Sequence, residues 1–267
     1  MSEKAPGQKR SKVSITVALS TLMVLVSVLL AGFVVLFNYQ RNHEAALLAA
    51  EEVLAAISQQ IEERLLTLVT PIVEIAKLAP DLAPIGLSDQ GVDASYHAFL
   101  TRLVNELPQV SSVFIGLADG TFYQIATPDN YSSRYRKRLG VPEQANMVRY
   151  DIAPSPPGSR LRSRQYFDAS GKSLGAPVFE PSDFDPRERP WYTLAMANEG
   201  VAGTQPYRFA SSGELGVTVA RKLPEMREGV LGVDITLIEL KRFLESEKPT
   251  EDSRLYLVAE TDSVLAW

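Results

Sequence analysis

Twenty-five consecutive residues without a charge, VSITVALSTLMVLVSVLLAGFVVLF from Val13 to Phe37, constrain this chain more than any other feature. At about 1.5 Å per residue, a helix of that length covers the ~30 Å hydrocarbon core of a bilayer with some tilt. A cleaved signal peptide is the rival reading, and AGF near the end of the run is faintly cleavage-like. The run far exceeds the ~7–15 residues of a signal peptide's apolar region, so a membrane span over 13–37 is the expectation. GQKRSK before it places positive charge on the N-terminal flank. The positive-inside rule then predicts a cytoplasmic segment over 1–12 and a body outside the membrane after Asn38.

Beyond the span, residues 39–79 read as one long helix rich in Ala, Leu, Glu and Gln. Leu54, Ile57, Ile61, Leu65, Leu68, Ile72 and Ile75 recur at helical spacing and mark one buried stripe. Pro71 interrupts the stripe without ending it, which predicts a kink. Such a helix either carries a mechanical signal or serves as a stalk. After the Pro-rich break at 80–84, residues 95–108 read as a second amphipathic helix. VFIGLADGTFYQIA is then a hairpin turning at Asp119-Gly120, and RLRSRQYFDASGKSLG is another turning at Ser170-Gly171. RPWYTLAMA opens a short helix with Pro190 near its first position. Strands over 213–223 and 229–237, a helix at IELKRFLES and a strand beginning at RLYLVAE complete the order. This succession predicts an α+β arrangement, an antiparallel sheet with helices on one side. DSVLAW stops within an expected hairpin, which predicts a truncated product or a fragment of a longer chain.

Charge and composition remove several function classes. Residues 1–12 carry +3, which leaves −8 on the remainder against a total of −5. An acidic body argues against nonspecific nucleic-acid binding. The basic groups at 134–138 and at Arg160, Arg162 and Arg164 fit one solvated face of a strand better than a phosphate track. The chain has no cysteine and only two histidines, His43 and His97, so no metal site and no cofactor is expected.

The most concentrated chemistry lies in DFDPRERPWY, residues 183–192. Two Pro residues stiffen this stretch into a loop, the kind of segment that carries binding residues. Arg189 presents a planar fork suited to a carboxylate, while Asp183, Asp185 and Glu188 are close enough in sequence to pair with it instead. Trp191 and Tyr192 either wall a pocket that stacks on an ammonium group or fasten the loop to the core. In GVLGVDITL, the period of two sets Leu231, Val233, Ile235 and Leu237 on a face against the helices, with Gly232, Asp234 and Thr236 on the other. Thr218 and Ala220 on the neighbouring strand are also small, so a carboxylate at Asp234 has room beside it for a cationic group. A solvent-facing surface is the alternative. Tyr207 in GTQPYRF either donates its hydroxyl to a ligand or packs at a strand edge, and Tyr123 is a weaker candidate in the first hairpin.

The span and long helix, the VFIGLADGTFY hairpin, the FDPRERPWY loop and the GVLGVDITL strand leading into LKRFL together resemble the double Cache (dCache) extracytoplasmic sensor domains. The resemblance covers about residues 38–267. It implies a PAS-like, membrane-distal module over 81–245 after a signalling or stalk helix at 38–80. It also implies the start of a membrane-proximal module over 246–267. It further implies a bacterial cell membrane location, a small-molecule ligand and a homodimer formed through the long helix. Members that bind amino acids use a Tyr, Arg, Trp, Tyr, Tyr and Asp set. By resemblance Arg189, Trp191, Tyr192, Tyr207 and Asp234 take five of those positions. The first tyrosine position is Phe184, a departure that removes one hydroxyl donor.

Three functions compete. A ligand-binding sensor is the main expectation, with an amino acid, amine or carboxylate as ligand and signalling through the membrane helix. The sensor part of an adenylate or guanylate cyclase, or of another output enzyme, is a variant of it. An anchored extracytoplasmic hydrolase is the second reading; the chain contains no catalytic motif such as Gly-x-Ser-x-Gly, which leaves a carboxylate pair such as Asp183 and Asp185 for it. A purely structural stalk domain is the third.

Overall fold

The computed structural model describes residues 15–78, 81, 87–88, 91–129, 131–155, 159–224, 228–258 and 264–266. The basic segment 1–12, the start of the apolar run and most of the Pro-rich break lie outside the described residues. The chain divides into two compact units, residues 1–60 and 61–267.

One helix, α1 (Ile15–Lys77), supplies everything described in the first unit and continues into the second. Every residue from 15 to 56 is exposed. Among the described residues, α1 is the one helix long and apolar enough to cross a membrane, with a mean hydropathy of 2.6 over its most apolar stretch. α1 runs through Pro71 without ending. Burial follows the stripe: Leu54 is exposed, Ile61, Leu65 and Leu68 are half-buried, and Ile72 and Ile75 are buried.

In the second unit, a short ladder of β1 (Leu87–Ser88) and β2 (Gly91–Val92) precedes α2 (Ala94–Glu106). The Asp93 carboxylate caps α2 by accepting from the Tyr96 N–H. β3 (Ser112–Leu117) and β4 (Phe122–Ala126) form the expected hairpin, with Gly120 at a positive φ of 90° in the turn. The basic residues 134–138, expected on the solvated face of a strand, instead lie in α3 (Ser133–Leu139). Its ends carry the signals for a helix: the Ser132 hydroxyl caps the start, and Gly140 closes it in the left-handed region at φ 61°. β5 (Met147–Ser155), β6 (Ser159–Phe167) and β7 (Val178–Ser182) follow as an antiparallel set. A 3₁₀ turn (Pro186–Glu188) leads into α4 (Pro190–Met196). Then come β8 (Ala202–Gly203), β9 (Tyr207–Arg208), β10 (Leu215–Lys222), β11 (Gly229–Thr236) and α5 (Leu237–Ser246). β12 (Leu257–Val258) and β13 (Val264–Ala266) form a small ladder, and the rest of the terminal stretch lies outside the described residues.

The antiparallel sheet runs β7-β6-β5-β4-β3-β11-β10-β8, with β9 also on β10. β11 lies between β3 and β10 and is buried along its full length, because both faces of the sheet are covered. On one face, Val113, Ile115, Ile125, Leu231, Val233 and Ile235 pack with Ile72 of α1, Leu100 of α2 and Leu240 of α5. On the other, Phe114, Phe122, Ile152, Ala220 and Val230 pack with Trp191, Tyr192 and Ala195 of α4. Helices were expected on one side of the sheet; the loop and α4 cover the other side and enclose the site.

Candidate functional site

The proline-stiffened loop is held by charge as well as by shape. The Asp185 carboxylate accepts from the Arg187 N–H at 3.0 Å, which caps the 3₁₀ turn, and from Arg187 Nη2 at 2.7 Å. It also accepts from Arg160 Nη2 of β6 at 2.5 Å. These hydrogen bonds, those of Arg187 foremost, hold its carboxyl at about 2, below the usual carboxylate value. Arg187 Nη1 reaches the Ala118 carbonyl at 3.2 Å and so fastens the loop to the first hairpin. Pro186 and Trp191 lie on Gly116, where a Cβ would stand 2.7 Å from Pro186 Cβ and 2.6 Å from Trp191 Cη2. Only glycine permits this approach.

With Asp185 engaged elsewhere, Arg189 has no ion pair among the described residues. Its guanidinium carbon stands 5.6 Å from the Phe184 ring centroid. The solvated strand face expected for Arg160, Arg162 and Arg164 is likewise corrected: Arg164 is buried, and Arg162 Nη2 and Arg164 Nη1 hold Glu180 of β7 at 2.8 and 3.0 Å. Strand β7 at the sheet edge supplies the acid that pairs with Arg162 and Arg164, while Arg160 pairs with Asp185.

From the sheet comes Asp234, buried between its two neighbours in register, Ser112 of β3 and Thr218 of β10. Ser112 Oγ donates to Asp234 Oδ2 at 2.8 Å, and Thr218 Oγ1 donates to Oδ1 at 2.5 Å. Burial pushes the carboxyl up to about 7, against the opposing pull of these two hydroxyls and the charge of Arg189. The Tyr207 hydroxyl is 2.7 Å from Thr218 Oγ1. Gln124 Nε2 donates to Ser112 Oγ at 2.9 Å.

These groups meet around a cavity of about 40 Å³, whose wall includes Arg189, Phe184, Trp191, Tyr207, Gln124 and Asp234. That is room for a few water molecules or a compact head group. Arg162, Phe184, Arg189 and Ala210 also line an outer hollow of about 280 Å³, with Asp183 and Glu188 on its wall. Arg189 and Phe184 thus stand where the inner and outer spaces meet.

The predicted residues fare differently. Arg189, Trp191, Tyr207, Asp234 and Phe184 come together on the cavity wall. Tyr192 does not: it packs in the core beside Trp191, with ring centroids 5.6 Å apart. Tyr123 points to the opposite face, where its hydroxyl bonds His97 Nδ1. The room expected around Asp234 is also largely filled. A Cβ on Gly232 would lie 2.3 Å from the Phe114 ring, and one on Gly216 would lie 2.3 Å from Phe209. The small residues make space for the protein's own aromatics, and the cavity is what remains. Gln124 and Ser112 escaped the sequence reading. Their signal was present in the hairpin, where the period of two puts Ser112, Phe114, Phe122 and Gln124 on Asp234's side of the sheet.

No family model matches the chain. Adenylate cyclase 1 of Rhizobium meliloti (strain 1021) is 26% identical over 242 residues, which is 88% of this chain and 35% of that protein. Methyl-accepting chemotaxis protein PscA of Pseudomonas syringae pv. tomato is 36% identical over 87 residues, 32% of this chain and 14% of that protein. The solved ligand-binding domain of the amino acid chemoreceptor PctC of Pseudomonas aeruginosa PAO1, in complex with GABA, superposes with a TM-score of 0.51 at 20% identity. The match covers 82% of this chain and 76% of that one. The chain has the fold of that ligand-binding domain, the α+β, PAS-like arrangement that the resemblance to Cache domains implied. In this fold the cavity occupies the face of the sheet opposite α1, α2 and α5, under the FDPRERPWY loop. The chain spans about a third or less of the length of these curated relatives.

Proposed function

We propose that this chain is the extracytoplasmic sensing part of a membrane-anchored signalling protein, with a cavity that takes a small ligand bearing a cationic and an anionic group. One observation carries the reading: Arg189 from the loop and Asp234 from β11 line the same cavity, and neither has an ion-pair partner among the described residues. A buried charge needs a counter-charge. A compact amino acid brings an ammonium group to Asp234, and its carboxylate meets the Arg189 fork; an amine fills only the Asp234 end.

The basic flank before the span supports a cytoplasmic N-terminus. The exposed apolar residues of α1 between 39 and 60, such as Leu47 and Leu54, suit a homodimer formed through that helix. β10 provides a route for coupling: its Thr218 bonds Asp234, and its Arg221 donates to the carbonyl of Lys77, the last residue of α1, at 3.0 Å. A ligand signals along this route by binding one arrangement of β10 more tightly than another. The cyclase relative matches along most of this chain and the chemotaxis relative along a third of it, which favours a cyclase-type output for the sensor.

Calorimetric titration of the full chain in detergent micelles with amino acids, amines and small carboxylates tests the reading. Arg189→Ala is expected to weaken a zwitterionic ligand by roughly 10- to 100-fold, the worth of a charge-assisted hydrogen bond. Its unfolding temperature should stay within a few degrees of wild type, because Arg189 gives up a ring contact with Phe184 and a through-space attraction to Asp234 but no ion pair or side-chain hydrogen bond among the described residues. Unchanged affinity would remove Arg189 from the site.

A further inference from the structure

The direction of the hydrogen bonds around Asp234 restricts the ligand further than its charge does. Thr218 and Ser112 each have one hydroxyl proton, and with Asp234 ionised, the form that meets a cationic ligand, both protons point at its carboxylate. Tyr207 must therefore donate to Thr218, since Thr218 has no second proton to give. Gln124 must donate to Ser112 for the same reason, which orients its amide: Nε2 toward Ser112 and, at 3.3 Å, toward Ser211. Gln124 Oε1 is left buried with no hydrogen-bond partner, on a side chain only 2% exposed that lines the cavity. Two chains of donors, Tyr207 through Thr218 and Gln124 through Ser112, thus converge on the carboxylate. Residues on the cavity wall carry acceptors with capacity to spare: the unused lone pairs of Asp234, the Tyr207 oxygen and the buried, unpartnered Gln124 Oε1. Arg162, the second guanidinium on the wall, is engaged with Glu180, which leaves Arg189 as the cation facing the ligand.

We infer that Gln124 is a specificity-determining residue, one that requires the ammonium group of the proposed ligand to be primary. The inference rests on the sensor reading above and deepens it. A primary ammonium brings one positive charge and three N–H donors, which match Asp234, Gln124 Oε1 and the Tyr207 oxygen. Each N-methyl group replaces a donor and strands an acceptor, and a buried acceptor without a partner is costly. It also adds volume to a cavity of about 40 Å³. Quaternary amines supply the charge without any donor and are rejected. The ligand's remaining bulk extends past Arg189 into the outer hollow.

The test is calorimetric titration of the full chain in detergent micelles with glycine, alanine, γ-aminobutyrate and ethylamine, each beside its N-methyl and N,N,N-trimethyl derivatives. Wild type is expected to bind at least one primary amine and to bind its N-methyl derivative roughly 10- to 100-fold more weakly. In Gln124→Met the primary amine weakens about tenfold and the gap to the N-methyl compound shrinks below about threefold. Gln124→Glu keeps an acceptor in place and keeps the gap. A wild-type gap retained in Gln124→Met overturns the inference, as does a trimethyl compound bound as tightly as its primary parent. If Gln124→Met does not fold, the wild-type series decides on its own. A wild type that binds carboxylates or neutral molecules but no amine sinks this inference and spares the sensor reading. One that binds nothing in either panel sinks both.

Discussion

Asp234→Asn is expected to abolish amine binding and, above pH 7, to raise the unfolding temperature of the ligand-free chain. Both effects have one cause. Burial moves the Asp234 carboxyl from an ordinary value of 3.8 up to about 7. Between those values the folded chain keeps a proton that the unfolded chain has released, so stability falls as pH rises through this window and is level above it. A shift of roughly three pH units corresponds to a penalty on the order of 4 kcal/mol once the group is ionised. Asparagine has no charge to desolvate, and the Ser112 and Thr218 hydroxyls can rotate to suit its amide. Recovering 1–2 kcal/mol of the penalty amounts to about 2–8 °C for a domain of this size. The same ionised carboxylate is what an ammonium ligand neutralises. Removing it costs about 2–5 kcal/mol of binding, which is thirtyfold or more. Thermal melts of wild type and variant at pH 5 and pH 8, paired with titrations, check this. The wild type should lose stability between the two pH values while the variant loses less. Below pH 7 the wild type should bind an amine about tenfold more weakly per pH unit, because the ligand must first displace the proton. A variant melting lower than wild type at pH 8 would show that the charge is compensated within the protein and has no need of a ligand.

Asp234 also shows how far the sequence could be read. Its face was legible, because the alternation of Leu231, Val233 and Ile235 with Gly232 and Asp234 is a property of the strand alone. The free space beside it was not. That depended on which ring stands opposite Gly232, and the β3–β11 register, between segments more than a hundred residues apart, puts Phe114 there. Arg189 had three acids within reach along the loop. The choice among them was made by Arg160, which comes in from β6 and joins Arg187 on Asp185. Tyr192 follows Trp191 directly on a short helix, about 100° around its axis. The two rings cannot face the same way, so one goes to the cavity wall and the other into the core. The expectations place no strand over 147–155, although Val148, Tyr150 and Ile152 alternate there with Arg149 and Asp151. Pro142, Pro154, Pro156 and Pro157 flank that run, and proline is a poor strand former, which masks the alternation. Helix stripes, hairpin turns and the loop itself depend on neighbours in sequence, and those features were recovered.

Trp191→Ala is expected to give the largest loss of stability in the region, and to lose ligand binding with it. The indole is 3% exposed and does two things at once. One part of its surface walls the cavity. The rest packs against Phe114 and Phe122, with ring centroids 4.7 and 6.2 Å away, and fills the space left by the missing side chain of Gly116. Truncating a buried tryptophan removes its transfer energy and leaves a hole that neighbours only partly close, at a cost of about 3–5 kcal/mol. Here the hole would open into the existing cavity, between the loop and the sheet. Arg189 lies two residues from Trp191 and depends on the same packing, so the ligand's anionic end loses its partner even though the guanidinium is still present. The contrast with Arg189→Ala is the informative measurement. That variant should lose affinity at nearly constant urea midpoint, whereas Trp191→Ala should lose both, with the midpoint falling by an amount set by the cost above. Trp191→Phe, which retains a ring over Gly116, should recover most of the stability. If Trp191→Ala unfolds at the wild-type midpoint, the indole is no part of the core, and the loop is held to the sheet by Asp185, Arg160 and Arg187 alone.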